Sequence, residues 1–438
     1  MTVTGQALSP LVKRHLLGVG FSSVGIGLTL PFLMVYMHDV RGISTAMVGV
    51  VMATMALATL LLAGPVGILV DRYGPALVLL ASLAVTAAGM AGFALVEHVW
   101  QAFAVGILAA VGNSGLHGPT NALVASLVPV EQRQQVYGLQ FALLNLGIGV
   151  GGLVSAALVD EGRPGTFQLL YVLSAVAFAA RFGVQLTMGR AGGRGSSGMA
   201  LADLPADAEL PVQAGYREVL ADKAFVRLLV LGLVAITCGY AQFEAGFTAF
   251  ATQQADISPK ALALTFAANT AVIVAAQMLV VKRLTGRSRS RALAVATLAW
   301  SASWLLAGSA GLSPGGALAL SLLVAATVVF ALGETIWAPI LPALVNDLAP
   351  AEIRGRYNAA HATTWSVGLI IGPVLAGTLI GAGLAATWVA LISTGCLVAA
   401  VMAYRLHGRL TPSQDGRPEP EPGDSRAELG LVGPAVGR

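Results

Sequence analysis

"ALALSLLVAATVVFALGETIWAPILP", residues 317–342, holds a single charged side chain, Glu334, in an otherwise apolar run. A helix rises about 1.5 Å per residue, so about 20 apolar residues cross a bilayer. This run is long enough to do so, and in lipid its one carboxylate is costly. The whole chain has the same character. Of 438 residues, 56% are hydrophobic and 11% charged, against roughly 25% charged in soluble domains. The mean hydropathy is +0.79. This composition excludes a soluble enzyme and predicts an integral membrane protein. The net charge of +4 is spread over the ends of apolar runs, not gathered into a patch with aromatics, so no nucleic-acid partner is expected. Cys238 and Cys396 both fall inside apolar runs, which gives no disulfide or zinc framework. Nothing reads as a cleavable signal, because the apolar stretch after Lys13 and Arg14 exceeds the usual length.

Twelve segments are apolar and long enough to span: 16–37, 45–70, 76–96, 99–127, 135–159, 167–188, 225–250, 259–281, 291–311, 315–346, 356–380 and 384–406. With the N-terminus inside, 21 of the 25 basic residues lie on the cytoplasmic side, only Arg41, Arg163 and Lys260 lie outside, and Arg181 is within a span. The positive-inside rule therefore predicts a multi-pass protein of the inner (cytoplasmic) membrane with both termini cytoplasmic. Residues 189–224 read as a flexible cytoplasmic linker ending in a short amphipathic piece, "YREVLADKAF". Residues 409–438, rich in Pro, Gly and acids, read as a disordered tail. That leaves two six-helix bundles, 1–188 and 225–408.

The two bundles repeat one another. "ALVASLVPVEQRQQVYG" from Ala122 aligns with "ALVNDLAPAEIRGRYNA" from Ala343, and Pro129/Pro350, Glu131/Glu352, Arg133/Arg354, Gly147/Gly368 and Gly151/Gly372 coincide. The expected fold is all-α: twelve transmembrane helices in two pseudo-symmetric bundles, with a site between them near mid-membrane.

Between spans 2 and 3 lies "GILVDRYGPA", Gly67 to Ala76. It resembles the loop motif of the major facilitator superfamily at Gly67, Asp71, Arg72 and Gly74, with Pro75 and Ala76 where basic residues are usual. The stretches "ALVASLVPVEQR" and "GETIWAPILPALVNDLAPAEIRGRY" resemble the drug and metabolite exporters of that superfamily that run on proton antiport. "GLIIGPVLAG", Gly368 to Gly377, resembles the antiporter glycine-proline motif, but in helix 11; the helix 5 stretch "GIGVGGLVSA" lacks the proline. The resemblance implies that Asp71 faces the start of helix 11 and latches the bundles on the cytoplasmic side. It also implies that helices 1, 4, 7 and 10 line a central cavity.

Four ionisable residues then stand out inside spans: His117, Arg181, Glu244 and Glu334. A carboxyl group removed from water gives up its charge more readily. Glu334 on helix 10 is therefore the candidate for proton coupling, or else part of a structural hydrogen bond between helices. Glu244, on the outer half of helix 7, is the second acid. Arg181 on helix 6 neutralises a carboxylate or serves structure, and His117 carries protons or simply packs. Asn113, Asn121, Tyr240, Gln242 and Trp337 are candidate cavity residues; Gln140, Asn145, Asn269 and Gln277 are polar within spans and either contact ligand or, as is commoner, hydrogen-bond between helices. Trp388 reads as an interfacial anchor.

No Walker loop and no Cys/His cluster occurs, so neither nucleotide nor metal nor any other cofactor is expected. The sequence points to a secondary transporter with protons, lipid and a small-molecule substrate as partners, expected to act as a monomer. Two acids in an apolar lining suit neutral or cationic cargo. An uptake symporter or uniporter is the alternative, and an intramembrane enzyme a remote one. The latter would need a His/Asp/Glu constellation at one membrane face, which the sequence lacks.

Overall fold

The computed structural model describes residues 2–3, 6–29, 32–160, 163–189 and 215–417. Apart from a two-residue antiparallel pair, Thr2–Val3 with Gln6–Ala7, its regular structure is helical. Eleven helices are long and apolar enough to cross a membrane. They are numbered by span: helix 2 Thr45–Tyr73, helix 3 Pro75–Phe93, helix 4 Val99–Ser114 and His117–Leu127, helix 5 Val130–Leu158 and helix 6 Pro164–Thr187. In the second half they are helix 7 from Lys223, helix 8 Pro259–Leu284, helix 9 Arg289–Ala310, helix 10 Gly316–Leu348, helix 11 Arg354–Gly381 and helix 12 Ala385–Leu406. Helix 1, Pro10–Thr29, starts with Lys13 and Arg14 and continues as Leu33–Val40 beyond residues 30–31. It packs on helices 5 and 6 as a member of the first bundle.

Helix packing explains the repeated glycines. In lipid there is no hydrophobic drive between helices, so close approach through small residues dominates. A Cβ added at Gly147 would come within 2.5 Å of Ser23 on helix 1, and one at Gly151 would meet the helix 1 backbone at Val24 and Gly27. The corresponding Gly368 would strike Ile236 at 2.6 Å and Gly372 would strike Ala241, both on helix 7. Helix 5 thus lies on helix 1 as helix 11 lies on helix 7. The first helix of each half also carries π-helical turns, Tyr36–Val40 in helix 1 and Ile236–Tyr240 with Gln242–Gly246 in helix 7. Such turns interrupt the regular hydrogen-bond ladder. The halves meet through helix 2 on helix 11 and helix 5 on helices 8 and 10.

Helices 10 and 11 stay helical through Pro339, Pro342 and Pro373, and helix 4 is interrupted at Gly115–Leu116, just before Pro119. Two expectations are corrected. Trp388 is not at an interface but fully buried, stacked on Phe250 at 5.6 Å and edge-on to Trp304 at 5.7 Å. The tail is ordered past residue 409, as far as Arg417, and residues 418–438 lie outside the described set. The amphipathic piece forms the helix Tyr216–Ala221, while 190–214 lie outside it.

Replacing Gly151 or Gly372 by Val forces backbone apart at a helix crossing. We expect each to destabilise the protein by about 1–3 kcal/mol, read as a lower melting midpoint in detergent. Gly152→Val, which meets nothing within 4 Å, serves as the control.

Candidate functional site

Polar groups in this protein gather in three places. The first is the end of the bundle that holds the 2–3 loop and the linker. Helix 2 ends at Gly74, whose φ of +87° suits glycine, and Pro75 starts helix 3. One turn earlier, Asp71 points across the halves. Its carboxylate accepts from the N–H of Gly355 at 2.5 Å, from the N–H of Arg356 at 3.2 Å and from the Arg356 guanidinium at 3.1 Å. A carboxylate on the open N–H groups of a helix start gains from the helix dipole, typically 0.3–1 kcal/mol and more when partly buried. Gly67 makes the approach possible, since a Cβ there would lie 2.6 Å from that of Ala359. Arg72 does not join. Its guanidinium sits over the ring of Tyr73, 5.3 Å from the centroid, and Arg356 supplies the cation instead. The linker helix closes this contact from outside, with the Tyr216 hydroxyl donating to the Gly64 carbonyl at 2.7 Å. Burial, then the Asp71 charge, pushes that phenol up to about 12, so it remains a neutral donor at physiological pH.

Beside it lies a second ionic joint. Asp347, at the end of helix 10, binds Arg133 at the start of helix 5 and Arg289 at the start of helix 9, the latter at 2.5 Å. Arg133 also donates to the Ala125 carbonyl. The tail completes the joint. Asp415 is fully buried and accepts from Ser288 Oγ at 2.7 Å, the N–H of Ser290 at 2.8 Å and His407 Nδ1 at 2.9 Å, and it forms an ion pair with Arg417 Nε at 3.0 Å. The backbone of Gln414 binds Arg289 in turn.

The second place is the interior of the C-terminal half. Glu334 is 3% exposed and accepts from Asn269 Nδ2 of helix 8 at 2.7 Å. Two turns on, Gln277 donates to the Thr335 carbonyl at 3.0 Å, so both expected interhelix bonds exist and one involves the acid itself. Gln242 and Trp337 are not cavity residues. Gln242 is fully buried, donating to the carbonyls of Thr237 and Gly372 and accepting from Trp388 Nε1. Trp337 packs on Trp300, 5.2 Å between centroids. Tyr240 is half-buried and tilts on Trp365 at 4.6 Å. Glu244 lies in the second π-turn of helix 7, and its side chain is outside the described ones.

The third place is the N-terminal half. Arg181 is buried, and its two terminal nitrogens donate to Ser22 Oγ and Thr120 Oγ1, each at 2.9 Å. No carboxylate approaches it among the described residues. His15 bonds Gln140, which bonds Asn121. His117 is exposed although it lies mid-membrane, and it is within electrostatic reach of Arg181 and of His361 on helix 11. It therefore borders the space between the halves and not lipid. Asn113 is half-buried on the same helix.

Sequence reasoning missed Asp347, Asp415, Asp222 and Tyr216. Asp222 caps helix 7 at the N–H groups of Ala224 and Phe225 and accepts from the Tyr357 hydroxyl of helix 11. A usable signal existed for Asp222, which stands immediately before helix 7 in the N-cap position; Asp347 lies in the last turn of helix 10 and Asp415 in a turn beyond helix 12, where no local pattern marks an acid.

Two measurements test the joints. With a cysteine at Ala359, buried under the Asp71 contact, Asp71→Asn should raise its alkylation rate several-fold, since removal of the charge loosens the closed end. Asp415→Ala should lower the melting midpoint by the equivalent of about 2–4 kcal/mol, because it strips the partners of a buried cluster.

The chain matches the family model described as Major Facilitator Superfamily over residues 16–296 and 244–435. It is 23% identical over 385 residues to an uncharacterized MFS-type transporter, YqjV of Bacillus subtilis, covering 86% of this chain and 88% of that protein. It is 24% identical over 424 residues to the multidrug resistance protein MdtH of Salmonella paratyphi B, covering 92% and 94%. Among solved structures, a bacterial homologue of the iron transporter ferroportin in its outward-facing state superposes with a TM-score of 0.72 at 14% identity, covering 92% of this chain and 100% of that one. The human organic anion transporter MFSD10 superposes with a TM-score of 0.68 at 15% identity, with the same coverage. With its duplicated six-helix halves and the Asp71 loop, the chain belongs to the Major Facilitator Superfamily and is a membrane transporter, not an enzyme.

Proposed function

We propose that this transporter works by alternating access in the inner membrane and exports small amphipathic compounds in exchange for protons. The linker and both termini face the cytoplasm in this reading. The observation that carries it is Glu334: a carboxyl group 3% exposed, mid-membrane on helix 10, held by a neutral amide at 2.7 Å. A group of this kind can take or lose a proton as water reaches it from one side or the other, and either change alters the bond to helix 8. Such a group biases a two-state protein when its proton affinity differs between the states. The two states would be the present one, closed at the linker end by Asp71 and Asp347, and one in which those contacts part. Export of diverse compounds is favoured by the likeness to MdtH, which is named a multidrug resistance protein. Asp71, Gly67 and Gly74 serve the conformational change in this reading, with Arg356 as the cation on Asp71.

The test is transport of a panel of dyes and antibiotics in a pump-deficient bacterial host, with wild type beside Glu334→Gln. Gln keeps an acceptor for Asn269, so the fold should survive. Wild type should show efflux that collapses when the proton gradient is dissipated, and Glu334→Gln should lose about tenfold or more of that flux, as expected for a group that acts in the coupling step. Undiminished gradient-driven efflux in a well-expressed Glu334→Gln would make the glutamate structural. Failure of wild type to move any panel compound would overturn broad export.

A further inference from the structure

We propose that the transported compound carries an acidic group, and that Arg181 is the residue that binds it; this rests on the chain being a carrier, as argued above. The starting point is a charge imbalance. Arg181 is 7% exposed inside the first bundle. Its stem crosses helix 1 at Gly18, where an added Cβ would lie 3.1 Å from Arg181 Cγ. Two of its five N–H donors are used, one on Ser22 Oγ and one on Thr120 Oγ1. Hydroxyl groups are poor replacements for the water a guanidinium gives up, and buried charges are normally paired. Here no carboxylate pairs with the guanidinium among the described residues. The acids of the first six helices, Asp39, Asp71, Glu97, Glu131, Asp160 and Glu161, all stand at span ends or in loops. Asp71 is committed to helix 11.

What does surround Arg181 is basic or neutral. His15 and His117 lie within its electrostatic reach, and His361 lies within reach of His117. His117 is exposed and His361 half-buried, so the cluster opens onto the space between the halves. His117 and Thr120 are one turn apart on helix 4, which puts the guanidinium at the edge of that space. A carboxylate, sulfonate or phosphate entering from it would supply the missing charge and accept from the three N–H groups that remain. The guanidinium fork matches such groups in pairs of parallel bonds. Glu334, in the second half, hydrogen-bonds with Asn269 of helix 8. The lining is therefore suited to an amphipathic anion, in contrast to the cationic or neutral cargo expected from the two acids in the sequence.

Binding tests this without transport. The full chain is purified in a neutral detergent free of anionic lipid, and its melting midpoint is followed with benzoate and with benzamide, its uncharged counterpart. Benzoate should raise the midpoint saturably and benzamide should not. In Arg181→Gln the apparent affinity for benzoate should fall roughly thirtyfold or more, the effect of removing one partner of a buried charge pair. The midpoint without ligand should be no lower than that of wild type, since an unpaired buried cation has been removed. Arg181→Lys keeps the charge but loses the fork, and should bind with intermediate affinity; it also stands in should Arg181→Gln not fold. An equal response to benzoate and benzamide, no response to benzoate, or an undiminished response in Arg181→Gln or Arg181→Lys would overturn the proposal. Because dye flux is not measured, failure here is separable from failure of the carrier reading.

Discussion

A charge taken out of water must be paired, hydrogen-bonded or neutralised, and the arrangement of the buried charged side chains among the described residues follows from that constraint. At the linker end acids are met by arginines and by backbone N–H groups. Asp347 sits between two arginines, and Asp71 sits on a helix start with an arginine beside it. Both are at most 7% exposed, so each is screened little by salt and holds its geometry. Within the bundles the described hydrogen bonds to buried charge come from neutral groups, an amide to Glu334 and two hydroxyls to Arg181. Ends and interior thus differ in kind: acid meets arginine at the linker end, and amide or hydroxyl meets charge inside the bundles.

The duplication explains the frame and its breaking explains the function. Helix 5 on helix 1 and helix 11 on helix 7 use the same glycine pairs, so the two halves are built alike. Their polar content is not alike. Asn113 of helix 4 corresponds to Glu334 of helix 10, and helix 4 is broken at Gly115–Leu116 where helix 10 is continuous. Asp71 closes the contact between helices 2 and 11, whereas helices 5 and 8 meet through Gln135 and Thr285 at a loose 3.5 Å. Of the two contacts related by the repeat, helix 2 on helix 11 is charged and helix 5 on helix 8 is neutral; helix 5 carries its charge to helix 10 instead, through Arg133 and Asp347.

The frame was legible in the sequence because it depends on run length, charge placement and internal repetition, all of which are one-dimensional. The Asp71 contact was legible for a different reason, the resemblance of its loop. Which polar residue faces space and which faces core was not legible. Gln242 and His117 both lie in helices next to the interface, yet Gln242 is locked to Trp388 and His117 is exposed. That depends on helix rotation, which in an evenly apolar helix no periodicity records; the apolar residues run all the way round. The tail was misread because its composition is that of a disordered segment up to the point where a single residue, Asp415, finds a buried site made by a loop 125 residues away.

Three helices of the second half begin under a carboxylate that lies outside the helix proper: Asp222 for helix 7, Asp415 for helix 9 and Asp71 for helix 11. The first two come from the same half and move with it. The third comes from the other half, so it alone of the three would be given up in the opening that we propose for the linker end. The N–H groups of Gly355 and Arg356 would then lose their acceptor, and Arg133 would lose Asp347. Buried donors without partners cost about 1–3 kcal/mol each, so in a dry interface these contacts would part together with the entry of water and not one by one. On that proposal the linker end is a two-position element, as a carrier requires if its cavity is never to be open to both sides.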